Sequence, residues 1–217
     1  MDKGTLIIGT GAQAKYALEI IKLNDMTVCG LIALPEESPS EFLDNTEVLG
    51  DLKDFESIYQ KSKRPSLLIC CSRNKDKEEL KDSLSKYDPE YTNAIHPKAV
   101  IARTAVLGQG IIVNACAVIQ PYARIGNHVM IHAGVIIEHD CIVQDFVNLA
   151  PKVALAGHVK IGKGTTVYTG AVISPTVETG DYCTVGAGSV VLRRVEDGKK
   201  VAGVPASEIK PEKDTIK

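Results

Sequence analysis

The sequence predicts an α/β domain followed by a parallel β-helix in a single chain, on three observations. The chain opens with a short apolar run, a glycine loop, an amphipathic stretch and a second apolar run. From Ala99 onward an aliphatic residue recurs at every sixth position with no slip in phase. The composition fits both parts: no Trp and only 5% aromatic residues against 44% hydrophobic ones, which suits a core of Val, Ile and Ala better than a sandwich or a helical bundle. A chain of 217 residues is expected to hold one or two domains. The change of character divides it into residues 1–93 and 94–217.

In the first part, Thr5 to Ile8 reads as a buried strand, followed by the G-x-G-x-x-A loop Gly9-Thr10-Gly11-Ala12-Gln13-Ala14. Lys15 to Leu23 then has helical spacing, with Tyr16, Leu18, Ile20, Ile21 and Leu23 as its apolar face, and Thr27 to Leu34 is a second strand. Such a βαβ opening is Rossmann-like, and its glycines let a nucleotide phosphate approach the helix N-terminus. A dinucleotide site also wants an acidic residue about 20 positions beyond the loop. Here the second strand ends around Ala33, and Glu36 and Glu37 come only later. NAD is therefore disfavoured, while a nucleotide sugar and a purely structural turn both stay open. Further on, Pro35 to Asn45 reads as loop, and Val48 to Leu52 as a turn into a helix near Lys53 to Gln60. Ser66 to Ser72 reads as a buried parallel strand, and Asn74 to Tyr87 as a charged helix with a solvated Lys/Glu face.

The second part is a hexad repeat. Every sixth residue from Ile101 to Val191 is Ile, Leu or Val in fifteen of sixteen cases, Thr179 being the exception. Two positions earlier stands a small or β-branched residue, as at Ala99, Ala105, Ala117, Ala123, Val129, Val135 and Cys141. A strict hexad is the signature of a β-helix in which three short strands make one triangular coil. Each aliphatic side chain then points inward and stacks on its counterpart one coil away, giving a prism on the order of 25 Å tall. Its flat faces need covering, and trimerisation is the usual solution.

Composition also excludes classes. A net charge of −2 offers no basic field for nucleic acid and no polybasic patch for a membrane surface. The cysteines, at 29, 70, 71, 116, 141 and 183, show no CxxC pair or zinc spacing and read as buried reduced thiols. The N-terminus lacks the features of a signal peptide, and no apolar run approaches the roughly 18 residues of a membrane span. A cytoplasmic location is expected.

One stretch interrupts the bland chemistry of the repeat: Val135-Ile136-Ile137-Glu138-His139-Asp140-Cys141. Together with the Gly9–Ala14 loop, Ala94-Ile95-His96-Pro97, Leu155-Ala156-Gly157, Val185 to Val191 and Val201-Ala202-Gly203-Val204-Pro205-Ala206, it resembles the left-handed β-helix acyltransferases with hexapeptide repeats. Over essentially the whole chain the resemblance is to their PglD/NeuD branch of nucleotide-sugar N-acetyltransferases and sialic-acid O-acetyltransferases. That resemblance implies a homotrimer with acetyl-CoA in the groove between prisms, a nucleotide-linked amino sugar at the N-terminal domain, and no metal. By position His139 matches the general base, Asp140 the carboxylate beside it, and Gly157 the amide that bonds the thioester carbonyl. Tyr168, Thr169, Ala187 and Gly188 match coils lining the CoA groove, and Gly203, Val204 and Pro205 the tail that closes over it. On the acceptor side the resemblance points to Gly9, Gly11, Ala12, Gln13, Ala14, His132 and Glu138. Gln13, Ala33, His132 and Asn148 stand where other residues are more common in the family.

The repeat arithmetic supports one link independently. Residue 139 plus eighteen is Gly157, so base and amide donor should sit on successive coils roughly 5 Å apart. A histidine serves as base near neutral pH, a carboxylate orients it and stabilises the imidazolium, and a backbone N–H stabilises the oxyanion. No Cys or Ser is placed to form an acyl-enzyme, which favours direct attack. The reading is thus N-acetylation of a UDP- or dTDP-linked amino sugar, a 4-amino-4,6-dideoxy one first, with O-acetylation of sialic acid or a related sugar as the alternative. Two other classes stay open. A zinc enzyme of the γ-carbonic anhydrase type would use His132, His139 and His158, whose spacing does not resemble that family. A sugar-binding module would release no CoA thiol. His96 reads as structural at the domain junction, and His128 and His158 as exposed corners.

Overall fold

The computed structural model describes residues 4–35, 37 and 42–209. Glu36 and part of the expected loop after the second strand lie outside them. The first part is a five-stranded sheet flanked by helices. Strands β1 (Thr5–Ile8), β2 (Val28–Ala33), β3 (Phe42–Leu43), β4 (Thr46–Asp51) and β5 (Ser66–Ile69) are ordered β3-β4-β2-β1-β5. All pairs are parallel except the β3/β4 hairpin. β1 is central and all four of its residues are buried, which is why it reads as a continuous apolar run.

Helices α1 (Ala12–Leu23), α2 (Phe55–Lys61) and α3 (Asn74–Leu84) complete this layer. Helix α1 packs Ala14, Ala17, Leu18 and Ile21 on one side of the sheet, and that cluster continues into Ala94, Ile112 and Met130 of the β-helix. On the other side Phe55 and Tyr59 stack at 5.2 Å over Leu6, Ile8 and Leu67.

Two local expectations are corrected here. The segment read as a turn from Val48 is strand β4, paired with β2 through Leu31↔Val48, Ile32↔Gly50 and Ala33↔Asp51. Tertiary pairing against a central strand overrides the weak local signal of Gly50-Asp51. The turn comes one step later, where the Asp51 carboxylate accepts the Lys53 N–H at 2.7 Å. Helix α3 is solvated at Lys75, Glu79 and Asp82 as expected, but Lys77 is 2% exposed and Asn74 is buried. Asn74 Nδ2 donates to Gly164 O and Thr166 Oγ1, each at 3.0 Å, and Glu78 pairs with Lys163 and the Tyr182 hydroxyl. This charged helix fastens the first part to the second.

The second part is the expected parallel β-helix. Two-residue strands stack in three sheets, each residue paired with the one eighteen positions on, as in Ile119↔Ile137↔Leu155↔Ile173↔Val191. The first sheet, starting at Ala94–Ile95, faces α1. The second starts at Val100–Ile101 and the third at Val106–Leu107. Beyond the partly buried first coil, both inward hexad positions are buried, including Ala117, Ala123, Val129, Val135, Cys141 and Val147 at 1% exposure or less. Thr179, the exception in the pattern, is also buried, and its hydroxyl accepts the Gly162 N–H at 3.3 Å.

The corners have a hexad of their own. Cys116, Tyr122, His128, Asp140, Phe146, Lys152, His158, Thr176 and Tyr182 all take left-handed φ between 52 and 64°. That conformation costs about 1–2 kcal/mol per non-glycine residue, and the in-register stacking of the strands imposes it regardless of residue type. Cys116 is therefore exposed on a corner, in contrast to the expected buried thiol, while Cys70, Cys71, Cys141 and Cys183 are buried. Among the described residues no helix is long and apolar enough to cross a membrane.

His128 is a further correction. Expected as an exposed corner, it is 2% exposed, edge-on to Tyr91 at 4.6 Å and stacked on Phe146 at 5.2 Å. Burial pushes its pKa down to about 4, with the Lys77 charge acting the same way. The unfolded state therefore takes up the proton first, so His128 supports the fold above about pH 6.5 and that support is lost as pH falls toward 4, about 3 kcal/mol in all. Urea unfolding of the wild type should show this loss between pH 6.5 and 4, and His128→Leu should flatten it. Parallel pH dependences in the two proteins would disprove the assignment.

Candidate active site

His139 and Asp140 sit on the corner between the second and third sheets, flanked by strands Ile136–Ile137 and Ile142–Val143. The left-handed turn at Asp140 (φ 58°) brings its carboxylate back to its neighbour, with Oδ2 2.8 Å from Nδ1 of His139. A carboxylate only accepts, so the ring hydrogen belongs on Nδ1 and Nε2 is left with its lone pair. One coil on stands Gly157. A Cβ there would lie 2.8 Å from both Cε1 and Nε2 of His139, closer than side chains pack, so the imidazole rests where only glycine fits.

Among the described residues the Gly157 N–H has no acceptor. The corner geometry explains this. Pro121, Pro151 and Pro175 fill the same hexad position on neighbouring corners, where no N–H is needed. On the corner between the third and first sheets, a side-chain ladder meets that N–H instead, as when Asp145 accepts from Asn127 at 2.7 Å and Asp181 from Lys163 at 2.8 Å. The site thus combines an oriented imidazole, an open ring nitrogen and an unpaired amide one coil away.

The residues matched to a CoA groove lie elsewhere on the prism. Tyr168, Thr169, Ala187 and Gly188 are exposed on the corner between the first and second sheets, where the Gly188 N–H bonds Thr169 O at 2.9 Å. The N–H groups of Thr169 and Ala187 have no acceptor among the described residues. Gly203, Val204 and Pro205 form an exposed hairpin tip, tied to that edge by the Gly203 N–H on Ser189 Oγ at 3.2 Å. Within one chain, then, this group and His139 occupy different edges, separated by the second sheet.

At the other end, Gly9 (φ 123°) lets the loop pass Cys70, where a Cβ would lie 2.6 Å from the Cys70 carbonyl oxygen. Gly11, Ala12, Gln13 and Ala14 lead into α1, but Gln13 is buried and its Oε1 accepts from Lys77 Nζ at 3.0 Å. Burial pushes the Lys77 pKa down to about 8. His132 is half-buried on the edge facing α1, with its ring 5.6 Å from that of Tyr16. Burial and the Lys77 charge lower its pKa, and Asn148 works the other way. Glu138 is half-buried beside the base.

Glu37 was passed over in the sequence because it follows the second strand at a distance. Its carboxylate accepts the N–H groups of Thr10 (2.7 Å), Gly11 (2.8 Å) and Leu34 (3.0 Å) and the Thr10 hydroxyl (2.8 Å), so the glycine loop already holds an anion supplied by the chain. Beside it opens a cavity of about 490 Å³ lined by Leu34, Glu37, Leu52, Cys71, Arg73 and Asp76. It lies outside the C-terminal ends of parallel strands, where open α/β sheets bind ligands.

Solved structures resemble this architecture over nearly its whole length. PerB from Caulobacter crescentus, in complex with CoA and GDP-perosamine, is 30% identical over 95% of this chain and 97% of its own, with a TM-score of 0.88. The chain belongs to the sugar acetyltransferases of the left-handed β-helix, hexapeptide-repeat superfamily. A His-to-Ala variant of the GDP-perosamine N-acetyltransferase from the same organism, with the same two ligands, superimposes at a TM-score of 0.90 with 29% identity, covering 96% of this chain and 97% of that one. The acetyltransferase domain of PglB from Neisseria gonorrhoeae, in complex with acetyl coenzyme A, shares the fold at 24% identity and a TM-score of 0.88, over 96% of this chain and all of that one. No family model and no curated protein matches. The prism of this acetyltransferase is accordingly left-handed.

The contact between Gly157 and the His139 ring gives a sharp test. Gly157→Ala should displace the imidazole and lower turnover about 100-fold, because misplacement of a reacting group by about 1 Å costs that much. Its thermal unfolding should stay near wild type. Undiminished turnover would show that the ring is not positioned by this contact.

Proposed function

We propose that this acetyltransferase transfers the acetyl group of acetyl-CoA to the amine of a nucleotide-linked amino sugar, with His139 as general base. The observation that carries the reading is the imidazole held by Asp140 at 2.8 Å over Gly157, beside an unpaired amide. The amine nitrogen attacks the thioester carbonyl while Nε2 of His139 accepts its proton. Asp140 stabilises the imidazolium that forms, and the Gly157 N–H bonds the developing oxyanion, an effect worth about 3 kcal/mol. Collapse of the tetrahedral intermediate expels the CoA thiolate, which takes the proton back from His139. Both substrates are present together, and no acyl-enzyme forms.

The division of labour follows the two parts. Residues 1–93 form a Rossmann-like domain whose cavity beside Glu37 takes the nucleotide, with Gly9, Gly11, Ala12, Gln13, Ala14, His132 and Glu138 on the acceptor side. Residues 94–217 carry the transfer centre. Tyr168, Thr169, Ala187, Gly188, Gly203, Val204 and Pro205 line the acetyl-CoA groove. Because that edge and His139 lie apart within one prism, a complete centre combines edges of two chains in a homotrimer. The outward residues of the second sheet support this: Val100, Val118, Ile136, Ala154, Val172 and Val190 form an uncharged apolar face, with Val100 61% exposed. A cytoplasmic location fits both substrates. O-acetylation of a sialic acid uses the same base and remains the second reading, since an alcohol needs deprotonation even more than an amine.

A thiol-release screen against UDP-, dTDP- and GDP-linked amino sugars and free sialic acid decides between them. Release with an amino-sugar nucleotide is expected, and release with sialic acid alone would replace this reading by the second. In the active pair, His139→Ala should lower kcat by about 100-fold or more while CoA affinity is kept. Near wild-type turnover in that variant would remove His139 as the base.

A further inference from the structure

Eighteen residues beyond Asp140 stands His158, the same left-handed corner position on the next coil. Stacking therefore brings a second imidazole to the base. The rings of His139 and His158 lie edge to face with centroids 5.1 Å apart, and the His158 N–H bonds His139 O at 3.0 Å. Nε2 of His158 is 3.9 Å from Asp140 Oδ2, the same oxygen that lies 2.8 Å from His139 Nδ1. One ligand atom from each of the three residues falls within 4.8 Å of the others.

We propose that His139, Asp140 and His158 form a binding site for a divalent transition-metal ion such as Zn²⁺, and that its occupancy switches the acetyltransferase off. A tetrahedral ion with bonds of about 2.0–2.2 Å sets its ligand atoms roughly 3.4 Å apart. The distances from Asp140 Oδ2, 2.8 and 3.9 Å, bracket that value, and all three side chains are exposed on the corner. Two imidazoles and one carboxylate leave a fourth position to water. This donor set suits zinc, copper or nickel and not magnesium or calcium, which want oxygen ligands throughout. The inhibitory half of the proposal rests on His139 as base. Coordination through Nδ1 forces the ring hydrogen onto Nε2, and coordination through Nε2 occupies the lone pair itself. In either case the ring accepts no proton from the acceptor. The ion is an inhibitor and not a resident cofactor, since the transfer described above needs none.

Calorimetric titration with Zn²⁺ alone, on the full chain in chelator-free buffer, tests the site without substrate. One ion per chain is expected. His158→Ala should weaken binding by about 10-fold or more. Cys116→Ser, which removes the exposed thiol that is the obvious competing ligand, should change nothing, and Mg²⁺ should give no binding heat. Wild-type zinc affinity in His158→Ala, or loss of binding in Cys116→Ser, overturns the site. In the turnover assay Zn²⁺ should inhibit the wild type, and His158→Ala should keep its metal-free rate while needing about 10-fold more zinc for the same inhibition. Equal inhibition in both proteins overturns the switch. Because the calorimetry needs no acetyl transfer, a chain that binds zinc as expected but turns over no substrate leaves the site in place and removes only the catalytic assignment.

Discussion

The in-register stacking of one coil on the next, eighteen residues apart, is the constraint on which the rest depends. Each strand is only two residues long and has no stability of its own. It persists because its backbone groups bond the coils above and below and its inward side chain lies on a column of aliphatic neighbours. From Gly110 to Gly188 the same stacking takes the chain through a left-handed conformation at each corner, whatever residue stands there. Asp140 is one such residue, and the strained turn points its carboxylate at His139. The pairing of His139 with Asp140 is a by-product of the way the prism turns its corners.

The prism also explains how a nearly featureless surface acquires chemistry. At the hexad position of His139 the N–H points away from the ladder. Proline fills it where nothing is needed, and an Asn or Asp ladder satisfies it on the corner between the third and first sheets. Elsewhere among the described residues it is left unpaired, at Gly157, Thr169 and Ala187 but also at Ala115, Ala133 and His139. Open amides on the two edges that flank the second sheet suit an acyl donor with a carbonyl and a pantetheine arm. The edges belong to one groove only when two prisms lie side by side, which fits the apolar second sheet.

The N-terminal part meets the first sheet through a mixed seam. Ile112 and Met130 continue the α1 cluster, while Lys77, Asn74 and Glu78 of α3 reach polar groups on the loop and the prism. Among the described residues the Lys77 side chain has only the Gln13 amide oxygen as a hydrogen-bond partner, and burial lowers its pKa. Glu37 supplies a carboxylate to the glycine loop, where it accepts the Gly11 N–H at 2.8 Å.

Much of this was legible from the residues alone. A period of six over sixteen hexads dictates the β-helix, because only a triangular coil returns every sixth residue to the core. The arithmetic that pairs His139 with Gly157 follows from the same period. What the tertiary structure decided are contacts the period does not encode. Strand β4 exists because β2 offers it an edge. His128 is buried because Tyr91 packs on its corner, and α3 turns Asn74, Lys77 and Glu78 inward to Gly164 O, Gln13 and Lys163 while Lys75, Glu79 and Asp82 stay exposed. Glu37 closes the glycine loop because the chain curls back after β2. Periodicity reports which way a side chain points relative to its own element. What another element later places over it depends on pairings distant in sequence, and only the folded chain brings those together.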